Sequence, residues 1–337
     1  MTLTLGTVGR DVPLEVLDAA GARVVRLRGR AGTDLGPADA YLGTGVDPAV
    51  RALLAGLLES GFAGLDGIVV GSDTDASRRL YYLLRELRRV DPAAGVPPVH
   101  LVDVLHLPRE TSRRYTLAKV RELRAVVERW TGTTITDDAL RDAAARRDAA
   151  RLAARDLLAH RRSDPARLSG ARFLDALLAG DTFDPDAHAA LLRAVEPGEP
   201  LAGRRVLLTG SGHDDSRVTA AIEAAGAVVV ADDHPDGELG LESLAGAGGA
   251  DPLAAIAARW HADGPTPQRA STPRRAAATA ARARAAGAEL IVAYVRERDD
   301  APLWEATAQS RAAGIPVVLL TRQRYGEVDI PALEEAL

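Results

Sequence analysis

The feature that most constrains this chain is a repeated alternation of short apolar runs with amphipathic helical segments. It is clearest at Leu65-Asp-Gly-Ile-Val-Val-Gly-Ser-Asp-Thr-Asp-Ala-Ser-Arg-Arg79. This stretch reads as a buried strand, a turn of small residues, and a helix running through Arg88. A run that is apolar throughout suits a strand covered on both faces, as in a parallel sheet. In open α/β sheets ligands sit outside the carboxyl ends of the strands. Ser72 and Asp73 hold that position.

The same grammar recurs on both sides. Residues 12–21 read as a short helix with proline in its first turn and glycine closing it. Strands are expected at 22–28 and 96–103, and a helix from Ala49 to Ser60. From Arg109 to Leu178 the pattern turns wholly helical, with Leu117, Val120, Leu123, Val127 and Trp130 on one face. Glu196-Pro-Gly-Glu-Pro200 reads as a linker. A second series follows, with strands at 206–210, 227–234, 290–295 and 316–320 and helices at 216–225, 274–286 and 303–313. Loops are expected at 235–252 and 263–269. The fold class is therefore α/β, two Rossmann-like lobes with doubly wound parallel sheets joined by a helical segment. The expected division is 1–108, 109–197 and 198–337.

Composition narrows the function classes. A net charge of −5 gives no electrostatic footprint for nucleic acid or an anionic membrane surface. Lys119 is the single lysine among 42 Lys and Arg residues, which points to genomic base bias rather than to guanidinium chemistry. No apolar run approaches the roughly 20 residues of a membrane span. The first ten residues carry no basic region ahead of an apolar core, so a cytoplasmic protein is expected. With no cysteine, the chain has neither disulfides nor thiolate ligands.

Several motifs invite chemistry. Gly210-Ser-Gly-His-Asp-Asp215 follows a strand and precedes a helix, where backbone amides can meet an anion. Asp215 stands where a dinucleotide fingerprint needs its third glycine, so the alternative is a tight turn with Asp214 or Asp215 capping the helix. Ser211, His213 and Asp214 lie too close in sequence to converge as a nucleophile triad. Asp232-Asp-His234 ends a strand, either as turn formers or as groups for ribose hydroxyls or a metal. His100 and His106 have no partner at a metal-ligand spacing. Of the arginine pairs, Arg78 and Arg79 have the best claim on a phosphate, since they start the helix after Ser72.

Taken in order, these segments resemble a known family: Pro13-Leu-Glu-Val-Leu with Ala19-Ala-Gly-Ala22, Asp47-Pro-Ala-Val-Arg, Leu65-Asp-Gly-Ile-Val-Val with Ser72-Asp73, Pro98-Val-His-Leu-Val-Asp103, Leu123 to Leu140, Arg205 to Ser211, Ile222 to His234, and Ala313 to Leu320. The chain is identified as a member of the 2-hydroxyacyl-CoA dehydratase D-component family, which includes benzoyl-CoA reductase subunits. The resemblance implies two Rossmann-like lobes, a [4Fe-4S] cluster held by three cysteines in the inter-lobe cleft, and pairing with a homologous subunit. It further implies one-electron delivery from an ATP-dependent activator and radical dehydration of an acyl-CoA thioester.

The positions answering to those cysteines fall near Val46, at Ser72, and near Arg298. None is a thiol, so no cofactor is expected and the cluster is expected to be absent. The resemblance then implies a cleft binding an acyl-CoA or related small-molecule ligand, lined by Ser72, Asp73, Ser77, Arg78, Gly210, Ser211, His213 and Arg298. Asp73 and His213 are the acid/base candidates for a non-redox, lyase-type step. The alternative is a non-catalytic partner or scaffold subunit, as a homodimer or with a cysteine-bearing homologue. A nucleotide on Gly210–Asp215 is a further possibility.

Overall fold

The computed structural model describes residues 2–262, 264–335 and 337. Met1, Asp263 and Ala336 lie outside the described residues, and with them the first residue of the loop expected at 263–269.

In chain order the first elements are β1 (Thr4–Val8), α1 (Leu14–Ala19), β2 (Arg23–Arg26), α2 (Gly36–Leu42), α3 (Pro48–Ser60), β3 (Gly67–Gly71), α4 (Asp75–Val90) and β4 (Val99–Val102). The helical stretch holds α5 (Glu110–Thr131), α6 (Asp137–Arg162), α7 (Gly170–Leu178) and α8 (Pro185–Arg193). Then come β5 (Arg204–Gly210), α9 (Arg217–Ala224), β6 (Ala227–Asp232), α10 (Pro252–Ala262) and α11 (Thr272–Ala286). The last are β7 (Leu290–Arg296), α12 (Ala306–Ala313), β8 (Val317–Gln323) and α13 (Ile330–Glu334). The strands form two parallel four-stranded sheets, ordered β2-β1-β3-β4 and β6-β5-β7-β8. The α/β class and the two wound sheets are as the sequence pattern implies.

The chain divides into two compact units. One comprises Met1–Ala149, Asp181–Asp186 and Ser243–Asp263, the other Ala150–Gly180, Ala187–Glu242 and Gly264–Leu337. This differs from boundaries at 108/109 and 197/198. The expected connector is shared out, and α10, far along the chain, folds with the first sheet.

In the first unit β3 is buried along its whole length, as its continuous apolar run requires. Alternation sorts its side chains onto two faces. Ile68 and Val70 pack with Leu54 of α3 and Leu80 and Leu84 of α4. Val69 joins Leu5 and the helices α1, α5 and α10 through Val16, Val120, Leu123 and Trp260. Each fully buried side chain of this size contributes about 1.5–3 kcal/mol. α4 begins where Thr74 accepts the Ser77 amide at 3.0 Å, an N-cap that fixes the turn after β3. Gly67 is required because a β-carbon there would stand 2.8 Å from the Trp130 ring.

In the second unit β6 and β7 are buried throughout. Val206, Leu208, Val229 and Val292 pack with α9 through Val218 and Ile222. Leu207, Val230 and Ile291 pack on the other face with Ala283 and Ala286 of α11. Among the described residues no helix is long and apolar enough to cross a membrane.

Candidate functional site

In both sheets the strand order reverses next to the first strand, between β1 and β3 and between β5 and β7. Such switch points leave a crevice at the carboxyl ends where ligands of doubly wound folds bind.

At the first switch point the chain leaves β1 through Gly9, whose φ of +80° favours glycine. A β-carbon there would also collide with the carboxylate of Asp73, which follows β3. Asp73 Oδ2 accepts the Arg10 amide at 2.7 Å. The backbone of Asp11 then crosses Gly71, where a β-carbon would stand 3.1 Å from the Asp11 nitrogen. Asp11 is buried, and its Oδ2 lies 2.8 Å from His106 Nε2.

Ser72 donates its hydroxyl to Asp103 Oδ1, just past β4. Tyr115 of α5 donates to Asp103 Oδ2 at 2.7 Å. That hydrogen bond to a carboxylate, with partial burial, holds the Tyr115 pKa above its usual value. The loop from Asp103 to His106 is pinned by Thr116, whose Oγ1 accepts the Leu105 amide at 3.1 Å, and by His261 Nδ1 donating to the Leu105 carbonyl. At the β1 and β2 ends, Arg10, Arg26 and Arg28 all face Asp181. The result is one polar constellation: Asp11, Ser72, Asp73, Asp103, His106 and Tyr115.

The second switch point is closed by its own residues. Gly210 has φ +114° and packs on the Tyr294 carbonyl, which accepts the Ser211 amide at 2.8 Å. Ser211 Oγ accepts the Arg296 amide at 3.0 Å, and Arg296 Nη1 donates to the Gly212 carbonyl at 2.7 Å. His213 is buried, its ring 4.5 Å from that of His234 and 5.1 Å from that of Tyr294. Burial, and then the neighbouring His234, push the His213 pKa well below its usual value; burial also lowers that of His234. His213 Nε2 and His234 Nδ1 have no hydrogen-bond partner among the described residues. Asp215 accepts the Arg217 amide at 3.0 Å and Tyr325 donates to Asp214 at 2.6 Å, so both carboxylates brace the turn.

Asp232 and Asp233 belong to buried ion-pair networks. Arg161 reaches Asp232 at 2.7 Å and Glu238 at 3.0 Å. Arg275 reaches Asp233 at 3.2 Å and Glu305 at 2.9 Å. Burial raises the Asp232 pKa, yet Arg161 and the other partners outweigh it and leave it lowered.

The residues named from sequence are therefore spread over different environments. Ser72 and Asp73 lie in the first constellation. Ser77 is buried beneath Thr74, 2.8 Å from its hydroxyl, and Arg78 is exposed beside Asp75. Gly210, Ser211 and His213 lie at the second switch point. Arg298 is exposed on the turn after β7 with φ +68°, whereas Arg296 is the arginine drawn into the strand end. Val46 is buried just ahead of α3. Sequence reasoning missed Asp11, Asp103 and Tyr115, and gave His106 no partner. The His106 partner lies 95 residues away in sequence, beyond any spacing rule.

The donor set does not fit an iron–sulfur cluster. The chain has no thiol, the Ser72 hydroxyl is engaged by Asp103, Val46 offers no donor and Arg298 is cationic. Among the described residues no group of three or more His, Asp or Glu side chains could hold a metal ion.

The profile of the family "2-hydroxyglutaryl-CoA dehydratase, D-component" matches residues 11–324. An Escherichia coli (strain K12) protein named "Putative dehydratase subunit YjiM" is 30% identical over 252 residues, covering 67% of this chain and 61% of that protein. The chain thus spans about three fifths of the length of that relative. With the profile running through both sheets, the chain belongs to the 2-hydroxyglutaryl-CoA dehydratase D-component family.

Proposed function

We propose that this chain is a cluster-free member of its family that binds an acyl-CoA or related acyl thioester at the carboxyl edge of the first sheet. In this reading the chemistry is proton transfer rather than electron transfer. One observation carries it: the Ser72 hydroxyl, at the position where the family resemblance implies a ligating cysteine, is built into a hydrogen-bonded set with Asp103 and Tyr115. Burying polar groups is unfavourable unless they are paired, and a disused site drifts toward apolar filling. Here the strand ends keep carboxylates, an imidazole and hydroxyls, and Arg10, Arg26 and Arg28 are gathered on Asp181 beside them.

Thermal melting of the full chain with acyl-CoA thioesters, free CoA and free acids tests the reading. A ligand at 100 times its Kd adds about 2.7 kcal/mol to stability. A rise in Tm with thioesters, reduced in Asp73→Ala, is expected. No rise with any thioester overturns it.

A second reading, a partner or scaffold subunit without catalysis, draws on the second switch point. Arg296 and Ser211 fill that strand end, and His213 is buried and held neutral. Stoichiometric co-purification with a cysteine-bearing homologue, together with no response to thioesters, favours this reading.

A further inference from the structure

We propose that the outer face of α4 is a docking surface for an acidic helical segment of a partner protein, with Tyr82 as the anchor and Arg78 and Arg85 beside it. The surface is defined by α4 alone and does not depend on what the first sheet binds.

The sequence writes two faces on this helix. Leu80, Leu84 and Leu87 are buried and pack with Ile68 and Val70 of β3. Arg78, Tyr82, Arg85 and Arg89 follow one another at spacings of four, three and four, which lines them along the opposite side. All four are exposed. From Arg78 to Arg89 the stripe runs about 16 Å. It begins one turn after the Thr74 cap, at the end of the helix that follows Ser72 and Asp73.

Its charge is one-sided. Arg78, Arg79, Arg85, Arg88 and Arg89 stand against Asp75 and Glu86, an excess of three positive charges on a chain whose net charge is −5. The two carboxylates are taken: Arg79 reaches Asp75 at 2.7 Å and Arg78 reaches it at 3.8 Å, while Arg89 holds Glu86. Arg85 forms no ion pair among the described residues. Its guanidinium lies instead over the rings of Tyr82 and Tyr81, 5.2 and 5.8 Å from their centroids. The Tyr81 ring meets that of Tyr82 edge-on at 5.2 Å, yet Tyr82 keeps 53% of its surface exposed. Tyrosine and arginine are among the side chains in which interface energy concentrates. Here the stacking holds them in place before a partner arrives, which lowers the ordering cost of binding.

The charges choose the occupant. A second copy presenting the same face would oppose like excesses, and an antiparallel pairing centred on Tyr82 sets Arg79 against Arg85 twice. A nucleic-acid backbone would meet Asp75 and Glu86 beside the stripe and a net negative chain behind it. An acidic helix fits both features of the face. Carboxylates spaced three and four apart reach Arg78 and Arg85, and an apolar residue between them covers the Tyr82 ring.

Anisotropy of a labelled peptide of about 20 residues, built from Glu, Ala and Leu as an amphipathic helix and titrated with the full chain, tests the surface. Polyglutamate of equal charge and a DNA duplex of similar length are the comparators. The peptide is expected to bind about 10-fold tighter than either. Tyr82→Ala, which leaves the charge unchanged, is expected to weaken it about 10-fold, and Arg85→Glu at least as much. Arg114→Glu, an equal charge change at an exposed position of α5, is expected to alter it less than about 2-fold. The melting temperature of each variant checks that it is folded. No peptide binding, binding indifferent to Tyr82→Ala, an equal loss from Arg114→Glu, or tighter binding of DNA overturns the proposal. Concentration-dependent dimerisation that Tyr82→Ala abolishes also overturns it, since a second copy then occupies the face. Each outcome leaves the thioester reading untouched.

Discussion

The carboxylate of Asp73 occupies the space a side chain on Gly9 would need, and its Oδ2 accepts the Arg10 amide at 2.7 Å. One hydrogen bond and one missing side chain thus join the ends of β1 and β3 at the switch point of the first sheet.

Gly9→Ala and Gly21→Ala separate the two parts of that relationship. Both glycines have positive φ, but a β-carbon at Gly21 meets nothing within 4 Å. Gly21→Ala carries only the left-handed backbone penalty, about 1–2 kcal/mol. Gly9→Ala adds displacement of the Asp73 carboxylate, a further ~1–3 kcal/mol from the disrupted, partly buried hydrogen bond. Urea denaturation of the two variants and of Gly9→Ala/Asp73→Ala measures this, and the double variant recovers part of the excess loss.

Ser72→Ala removes one donor from Asp103 and leaves Tyr115 in place. A hydrogen bond to a charged group is worth about 1.5–3 kcal/mol, and a melt is expected to show a loss near the lower end. Tyr115→Phe added to Ser72→Ala costs more than the two single losses summed, because Asp103 then loses both hydroxyl donors. A double-mutant cycle reads the coupling directly.

Arg161 is buried between Asp232 and Glu238, with Arg162 also on Glu238. Arg161→Leu leaves the buried carboxylate of Asp232 without its guanidinium, while Glu238 keeps Arg162 and Arg282, and is expected to destabilise the chain by about 3–5 kcal/mol. Replacing the ionic trio together with apolar residues of similar volume is expected to recover most of that loss. Guanidinium unfolding checks both.

The imidazoles of His213 and His234 give the chain an acid-labile core. Their folded pKa values lie below the ordinary 6.5, so the unfolded chain binds protons first as pH falls. Stability is therefore flat above about pH 6.5 and declines as pH drops below it toward the folded values. Asp232 and Asp236 partly offset this by favouring the charged form, while Arg296 faces His213 and adds to it. His213→Phe is expected to flatten the acid decline in chemical denaturation compared at about pH 7.5 and about pH 5.5.

Much of this architecture is legible in the sequence because the signals are local. The buried strand and capped helix at Leu65–Arg79 become β3 and α4, and all of the second series appears as β5 to β8 with its helices. β1 is missed because Gly6 and Thr7 interrupt its apolar run, and only pairing with β2 and β3 makes it a strand. α2 hides in a Gly- and Pro-rich stretch, and α10 follows a glycine-rich loop, yet buries Trp260 against the first sheet. The site divides the same way. Ser72 and Asp73 are readable as the residues after a strand, whereas Asp11 with His106 is a tertiary pairing that no spacing announces. Asp232 and Asp233 look like turn formers in sequence and prove to be the anionic partners of Arg161 and Arg275, arginines contributed by distant helices.

The central claim is that the family's electron carrier has no place in this chain and that Ser72 stands in a proton-transfer site instead. Iron and acid-labile sulfide, quantified after anaerobic reconstitution with ferrous iron and sulfide and removal of unbound ions, test it most directly. The account predicts background iron and sulfide and no absorbance of a bound cluster, in wild type and in Ser72→Cys alike, since one thiolate cannot hold a cluster. A brown protein with stoichiometric iron and sulfide in the wild-type chain would contradict it.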